Sequence, residues 1–119
     1  MSASSETQDF RSRLERVPAQ ARKLLAHAAE LAYSTHREER TPDVAYLPEL
    51  HESCGLDVEA MYANLQKLEA ARLIDLEGEY PFQDVKLRDE ILRDMAERSA
   101  AHKVHLQEVL GEMRFDLLL

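Results

Sequence analysis

The stretch Leu47–Ile74, with the sequence LPELHESCGLDVEAMYANLQKLEAARLI, decides the expected fold because a Gly-Leu pair separates two segments of helical periodicity. Pro48 suits the first turn of a short helix, which we expect over residues 48–54. Asp57 is a good N-cap for the helix that we expect over residues 57–72. One face of that helix carries apolar side chains at steps of three and four residues, namely Val58, Met61, Leu65 and Leu68. The stretch therefore predicts two helices joined by a tight turn.

The residues that flank this helix pair alternate in the manner of short strands. Leu73–Leu76 and Val85–Leu87 alternate loosely between apolar and polar residues, and Glu77–Pro81 between them has the composition of a turn. We therefore expect a two-stranded hairpin near residues 73–87. Before the helix pair, Val44–Tyr46 is a candidate for a short extended segment. The predicted order is strand, helix, turn, helix and hairpin.

Two further helices are expected before this region. Ser5–Gln8 has the Ser-x-x-Gln form of a capping box and predicts a helix over residues 5–16. Pro18 suits the start of a second helix, which we expect over residues 18–34. Its apolar stripe consists of Ala21, Leu24, Leu25, Ala28, Leu31 and Ala32. The polar residues 34–43 indicate a loop, because a proline disfavours helix at the residue before it.

The last part of the chain has the pattern of one long helix. From Asp89 onward, one side carries Ile91, Met95, Ser99, His102, Leu106, Val109 and Met113. We expect this helix to extend over residues 89–115. Its apolar side predicts pairing with a second copy of the chain through Ile91, Met95, Leu106, Val109 and Met113. The expected assembly is therefore a homodimer.

Composition places the chain among folded proteins that are mainly helical. With 119 residues, of which 45% are hydrophobic and 32% charged, the chain is long enough for one domain with one core. We expect a single domain over residues 1–119, made of N-terminal helices (1–42), a central region of two helices and a hairpin (43–88) and a C-terminal helix (89–119). The chain has 3 Gly and 4 Pro, which favours helix over long irregular segments.

Three further features bear on the compartment. Cys54 is the one cysteine of the sequence and cannot form an internal disulfide, which indicates a reducing environment. The polar start MSASSETQDF has no hydrophobic core of an export signal. No apolar run approaches the roughly 20 residues that span a bilayer. We therefore expect a cytoplasmic protein that does not enter a membrane.

The order of short strand, helix, Gly-Leu turn, helix and hairpin is that of a winged helix-turn-helix. Leu47–Ile74 resembles the pattern Leu-x-x-x-x-Gly-Leu, x-x-x-x-Val, x-x-x-Leu-x-x-Leu-x-x-x-Gly-Leu-Ile of bacterial regulators such as the MarR and ArsR families. The matching positions are Gly55, Leu56, Met61, Leu65, Leu68, Leu73 and Ile74. Arg72 departs from the family, which usually has glycine there. The resemblance covers almost the whole chain and implies a mainly α winged helix-turn-helix with a two-stranded β wing and a long C-terminal helix, acting as a homodimer in transcription regulation.

In this resemblance the helix over residues 57–72 is the recognition helix. Its outer face carries Asp57, Glu59, Tyr62, Ala63, Gln66 and Lys67, where related DNA binders usually have Ser, Thr, Arg or Gln. Residues 43–88 hold ten acidic side chains against four basic ones, so the acid of a chain with net charge -8 is concentrated here. An unpaired acid about 4 Å from a phosphate costs about 1 kcal/mol in a watery interface. We therefore expect direct DNA binding to be weak.

Two function classes stay open at this point. The candidate phosphate contacts are Lys67, Arg72, Lys86 and Arg88, joined by Arg11, Arg13 and Arg16 if these lie on the same side. The alternative is a protein-protein interaction module without DNA binding, in which Tyr62 and Ala63 dock a partner and the acid excludes nucleic acid. The resemblance favours transcription regulation, whereas the chemistry of the helix face favours the interaction module.

A histidine pair in the last helix has the spacing of metal ligands. His102 and His105 are three residues apart, and Asp89 stands about three helical turns earlier. Some ArsR-like metal sensors pair two such ligands with an Asp-x-His, but Ile91 stands here where that pattern needs histidine. The ligand set is incomplete, so we interpret these histidines as structural and expect no metal.

Other reactive side chains have equally plain interpretations. His51 and Cys54 are also three residues apart, but Cys54 fills the small apolar position before the Gly-Leu turn and is interpreted as a packed thiol. Asp57 and Glu59 are a carboxylate pair without a nucleophile motif or a Gly-rich phosphate loop around them. We therefore expect neither an enzyme nor a bound cofactor.

Overall fold

The computed structural model describes residues 2–33, 43–79 and 82–117, with side chains from residue 8 onward. Its helices are α1 (Ser2–Glu15), α2 (Ala19–Ala32), α3 (Leu47–Cys54), α4 (Val58–Ala70), α5 (Glu90–His102) and α6 (Leu106–Gly111), and its strands are β1 (Val44–Tyr46), β2 (Ile74–Glu77) and β3 (Asp84–Leu87). A 3₁₀ turn, Phe115–Leu117, follows α6. Helices dominate, so the expected mainly α fold is confirmed. The loop expected over residues 34–43 lies almost wholly outside the described residues.

Helix α2 is the centre of the core. Pro18 is its N-cap, and the fixed backbone angle of proline suits that place. The buried residues of α2 are Ala21, Leu24, Leu25, Ala26, Ala28, Ala29 and Ala32. Its many alanines let neighbours approach on several sides, and α2 contacts α3, α4, α5 and α6. The helix is therefore buried over more of its circumference than the single predicted stripe, although Leu31 of that stripe is only half-buried.

Helix α1 joins the core through two of its side chains. It begins at Ser2 and not at the predicted capping box of Ser5, because residues 2–4 contain no glycine or proline that would stop a helix. Phe10 and Leu14 are fully buried. Burial of these two side chains ties α1 to the rest of the chain.

The sheet has three antiparallel strands in the order β1-β3-β2. The hairpin of β2 and β3 is the predicted one, and its register pairs Ile74 with Leu87 and Glu77 with Asp84. Strand β1, expected only as a short extended segment, pairs with the outer side of β3. The predicted two-stranded wing is thus part of a three-stranded sheet, because β1 occupies the free edge of β3 and satisfies its backbone groups.

Helices α3 and α4 are joined as the sequence predicted. Gly55 ends α3 with a φ of 74°, and the Asp57 carboxylate accepts a hydrogen bond of 2.8 Å from the Ala60 N–H at the start of α4. Met61, Leu65 and Leu68 are buried, as their apolar face predicts. Val58 of the same face is 37% exposed, contrary to that prediction. Helical side chains lean towards the N-terminus, so the side chain of the first residue leans past the end of the helix.

Asn64 is the buried residue of α4 that the apolar pattern missed. Its side-chain amide donates to the Gln20 side-chain oxygen at 3.0 Å and to the Ala60 carbonyl at 2.9 Å. A polar group can be buried at low cost when its hydrogen bonds are made inside the protein. Asn64 therefore links α4 to α2 at a position where apolar periodicity gives no signal.

The single long C-terminal helix expected over residues 89–115 is wrong. Helix α5 ends at His102, Lys103 takes the left-handed conformation with a φ of 57°, and the Val104 N–H donates to the Ser99 carbonyl at 2.9 Å. Helix α6 then packs against α2 and buries Leu106, Val109 and Leu110 completely. The break lets α6 take its own direction and pack Leu106, Val109 and Leu110 against α2, which removes their apolar surface from water.

The break also changes the expected dimer surface. Leu106 and Val109 belong to the core of the chain itself and are not open to a partner. Met113 follows α6 with a φ of 58° and is half-buried. Of the five residues expected to pair two copies, Ile91 and Met95 alone remain on α5, both half-buried.

Lys103 offers a direct test of this break. A left-handed residue costs an L-amino acid roughly 1 kcal/mol that glycine does not lose. We expect Lys103→Gly to raise the free energy of unfolding by about 0.5–1 kcal/mol, measured by urea denaturation. Lys103→Ala removes the same charge but keeps a Cβ, so it should give no such gain. A loss of stability with glycine would mean that α5 continues through this position.

Candidate functional site

The outer face of α4 is the first candidate site. Asp57, Glu59, Ala63, Gln66 and Lys67 are exposed there, as expected from the helical spacing, and Tyr62 is half-buried. The two acids stand at the N-terminal end of α4 and Lys67 in its last turn. Acidic groups at a helix N-terminus stabilise the helix through its dipole, which gives Asp57 and Glu59 a structural role of their own.

The hairpin places two predicted phosphate contacts beside an acid. Asp75 stands opposite Lys86 in the register of β2 and β3. The Asp75 carboxylate is also 3.4 Å from the Arg88 guanidinium, with both side chains nearly half exposed. A surface ion pair of this kind contributes little to stability, but it lowers the charge that Arg88 offers to a phosphate. Lys86 and Arg88 are therefore weaker anion contacts than the sequence indicated.

The tip of the hairpin is apolar and acidic. Phe82 is 69% exposed, and Glu79 beside it is exposed as well. Gly78 has a φ of 94°, which turns the chain at the end of β2. Among the described residues, Phe82 and Val58 are the large apolar side chains with the greatest exposure.

Four arginines lie around one cleft, which we call the arginine cleft. Its volume is about 690 Å³, and its lining consists of Asp9, Arg13, Arg16, Ala70, Ala71, Arg72, Arg88 and Asp89. Arg13 lies on α1 and Arg16 directly follows it, while Arg72 follows α4 and Arg88 follows β3. The structure thus brings Arg13 and Arg16 to the same place as two predicted phosphate contacts. Arg11 instead stacks on the Phe115 ring, 5.2 Å from its centroid.

Arg13 holds the cleft together. Its guanidinium is 2.6 Å from the Asp89 carboxylate and 3.1 Å from that of Asp9, and it donates to the Arg72 carbonyl at 2.7 Å. With only 14% of its side chain exposed, Arg13 is a structural clamp and not a free cation. Asp89, a candidate metal ligand in the sequence, is therefore the partner of an arginine.

Arg16 and Arg72 are the unpaired cations of the cleft. Both are exposed, and within the described part of the chain neither guanidinium has a carboxylate within ion-pair distance. Arg72 has a φ of 62°, the left-handed conformation that glycine adopts without a steric penalty. The clamp on its carbonyl supports this backbone conformation.

The arginine cleft lies at the C-terminal end of α4, and the acids Asp57 and Glu59 lie at its N-terminal end. Helix α4 has 13 residues, and a rise of about 1.5 Å per residue separates its two ends by roughly 20 Å. Lys67 stands near the cleft end and not at the tip. The described residues therefore form no continuous basic stripe along α4.

A second cleft, of about 300 Å³, lies between α2, the end of α3 and α6. Its lining consists of Gln20, Lys23, Leu24, His27, Cys54, Leu56 and Gln107. The His27 ring nitrogen is 3.3 Å from the Gln107 amide, and burial lowers the pKa of His27. Cys54 is half-buried, packs against the core and donates to the His51 carbonyl at 3.7 Å. The thiol is thus partly packed, as expected, and His27 is the residue that sequence patterns missed.

The histidine pair of the C-terminal segment does not share a helical face. His102 ends α5, His105 is the N-cap of α6, and both are exposed. Burial raises the pKa of Glu30, an effect that nearby His105 opposes. Among the described residues, no three His, Cys, Asp or Glu side chains are grouped so that they could hold a metal ion.

Comparisons with other proteins add no relative. In the part of the chain that the structure describes, none of the helices has the length and apolar character needed to cross a bilayer. A scan of protein-family models, a search of curated proteins and a search of solved structures each returned no match to this chain.

Proposed function

We propose that the chain is a winged-helix protein that acts in transcription regulation, with α4 as recognition helix, the hairpin of β2 and β3 as wing, and weak direct binding to DNA. The observation that carries the proposal is the arrangement of α3, a tight turn and α4, followed by a hairpin whose strand β3 pairs with β1. This is the order that the resemblance implies. The exposed outer face of α4 is what a recognition helix needs.

The charges of α4 set the strength of this binding. Gln66 can read a base edge in the major groove and Lys67 can neutralise one phosphate. Asp57 and Glu59 at the tip each cost about 1 kcal/mol at about 4 Å from a phosphate, and together they offset one good base contact. A protein with so few phosphate contacts loses affinity only gently as salt rises.

A protein-interaction module is the second candidate, and the exposure of Phe82 and Val58 favours it. Phe82 is 69% exposed near Glu79 at the tip of the hairpin, and Val58 is 37% exposed beside Glu59 at the start of α4. Aromatic side chains are common anchors of protein interfaces, and acid repels nucleic acid. In this alternative the wing tip and α4 dock a protein partner.

Homodimerisation stays a prediction. Since Leu106 and Val109 are buried within the chain, a dimer would form through α5, with Ile91 and Met95 at its centre. Two copies would then meet about a twofold axis.

The double variant Asp57→Ser, Glu59→Gln tests the proposed function. Because it removes repulsion at the helix tip while serine keeps a capping oxygen, we expect affinity for a random duplex to rise about tenfold in low salt. The measurement is fluorescence anisotropy across 50 to 200 mM salt, roughly the range over which phosphate contacts weaken.

A matched control shows whether the gain in affinity depends on where the two acids are removed or only on the net charge of the chain. Glu97→Gln, Glu108→Gln makes the same change in net charge at exposed positions of α5 and α6. We expect that control to leave the affinity nearly unchanged. Equal gains in both double variants, or no gain in either, would place the face of α4 away from DNA and favour the interaction module.

A further inference from the structure

We propose that the arginine cleft is a binding site for a small phosphate-bearing ligand, separate from the DNA-contacting face of α4. The geometry that carries the proposal is the convergence of Arg16, Arg72 and Arg88, from three separate parts of the chain, on one cleft of about 690 Å³. A guanidinium forms two parallel hydrogen bonds with a phosphate, so arginines facing one space suit this group.

The charge of the cleft stands out against the rest of the molecule. Its lining holds four arginines and two aspartates, a net charge of +2, in a chain whose net charge is -8. Asp75, 3.4 Å from Arg88 at the edge of the cleft, lowers this charge to +1. Arg16 and Arg72 therefore supply most of the attraction for an anion. The Asp89 carboxylate is neutralised by Arg13 at 2.6 Å, so its repulsion of an anion is reduced. The positive lining attracts a dianion that the remainder of the surface repels.

The shape of the cleft is fixed before a ligand arrives. Arg13 ties α1 to the Arg72 carbonyl and to Asp89, so one mostly buried side chain joins the parts of the chain that line the cleft. Arg16 and Arg72 remain free to turn towards a ligand. A site whose frame is held in advance loses less entropy on binding.

The remaining lining identifies the chemical class of the ligand. Ala70 and Ala71 are its apolar residues, and the described residues of the lining include no aromatic ring on which a nucleobase could stack. The site therefore recognises the phosphate group itself, as inorganic phosphate, pyrophosphate or a small phosphate ester.

The arginine cleft lies at the base of the hairpin of β2 and β3. Arg72 lies two residues before β2, and Arg88 directly follows β3. A phosphate held between them would join both ends of the hairpin, through Arg16, to the turn that follows α1. Ligand binding would then stiffen the base of the proposed wing.

Calorimetric titration of the full chain with inorganic phosphate and with pyrophosphate tests the proposal. We expect saturable binding, tighter for pyrophosphate, and a loss of at least about tenfold in Arg16→Gln, Arg72→Gln, since each charge-assisted hydrogen bond supplies such a factor. Arg98→Gln, Arg114→Gln changes the charge equally at exposed positions elsewhere and should bind as the wild type does. Circular dichroism checks that both variants are folded.

Two further arms decide the geometry and the source of the phosphate. Arg16→Lys, Arg72→Lys keeps the charge but loses the paired hydrogen bonds, so affinity should fall between those of the wild type and the glutamine variant. Absence of saturable binding, or equal losses in the control variant, would overturn the proposal. It would also be overturned if a short DNA duplex displaced pyrophosphate from the wild type, because the cleft would then belong to the DNA surface.

Discussion

Replacing Arg22 by methionine is expected to lower the free energy of unfolding by about 3 kcal/mol, a large part of the stability of a domain of this size. The Arg22 guanidinium lies between the ends of two helices. It donates to the Val17 carbonyl at 2.6 Å, just after α1, and to the Leu110 and Gly111 carbonyls at 2.8 Å each, at the end of α6. Methionine keeps the stem of the side chain and removes all three donors.

The expected loss of stability is large because carbonyls at a helix end have no hydrogen-bond partner within the helix. The helix dipole also makes that end attractive to a cation. A hydrogen bond from a charged donor contributes about 1.5 to 3 kcal/mol. The three hydrogen bonds from this guanidinium contribute less than their sum, because interactions that share one group are not additive. Within the described residues, no carboxylate pairs with Arg22. Its role is therefore to join α1, α2 and α6.

Urea denaturation of three variants measures this clamp. Arg22→Lys can reach fewer carbonyls and should recover only part of the loss. Arg98→Met removes a charge from an exposed position of α5 and should change stability by less than about 0.5 kcal/mol. A loss below about 1 kcal/mol for Arg22→Met would show that water satisfies these carbonyls equally well.

The elements that the sequence predicted well are those decided by local chemistry. Gly55 and Asp57 fix the turn and the cap of α4 through their own backbone and side chain. The alternation of residues around Val85 predicts β3 in the same local way. Each of these features needs only a few neighbouring residues, so the sequence carries it directly.

What the sequence did not predict depends on contacts between distant residues. Lys103 is not a glycine, and nothing beside it indicates a helix break; the break follows from the burial of α6 against α2. Arg22 stands next to an apolar stripe, and nothing in the neighbouring sequence predicts that it donates to carbonyls 88 and 89 residues later. Tertiary packing overrides local helix propensity at both places.

The candidate site divides in the same way. The exposed face of α4 follows from helical periodicity and was predicted by residue. The arginine cleft joins Arg13 to Asp89 across 76 positions of sequence. Only the folded chain brings Arg16 beside Arg72 and Arg88, although their residue type marked all three as possible phosphate contacts.

Leu106→Ala should lower the free energy of unfolding by about 2 to 5 kcal/mol, as is usual for a leucine removed from a packed core. Leu106 is 0% exposed and lies at the start of α6, which packs on α2. Because its partners belong to the same chain, the loss should not depend on protein concentration. An unbroken C-terminal helix would instead place Leu106 between two copies, and the same substitution would then weaken a dimer.

Met95→Ala is the matched control, since Met95 is half-buried on α5, the helix left for a dimer. In the monomer it should cost about 1 kcal/mol, well below the cost of Leu106→Ala. If two copies pair through α5, stability of the wild type rises with protein concentration, and Met95→Ala reduces that rise and the dimer fraction in sedimentation. The dimer prediction would be wrong if stability did not depend on protein concentration and sedimentation showed one monomeric species at micromolar concentration. A dimer lost on Leu106→Ala while monomer stability is kept would instead restore the long helix, because Leu106 cannot both fill the core beside α2 and face a second copy.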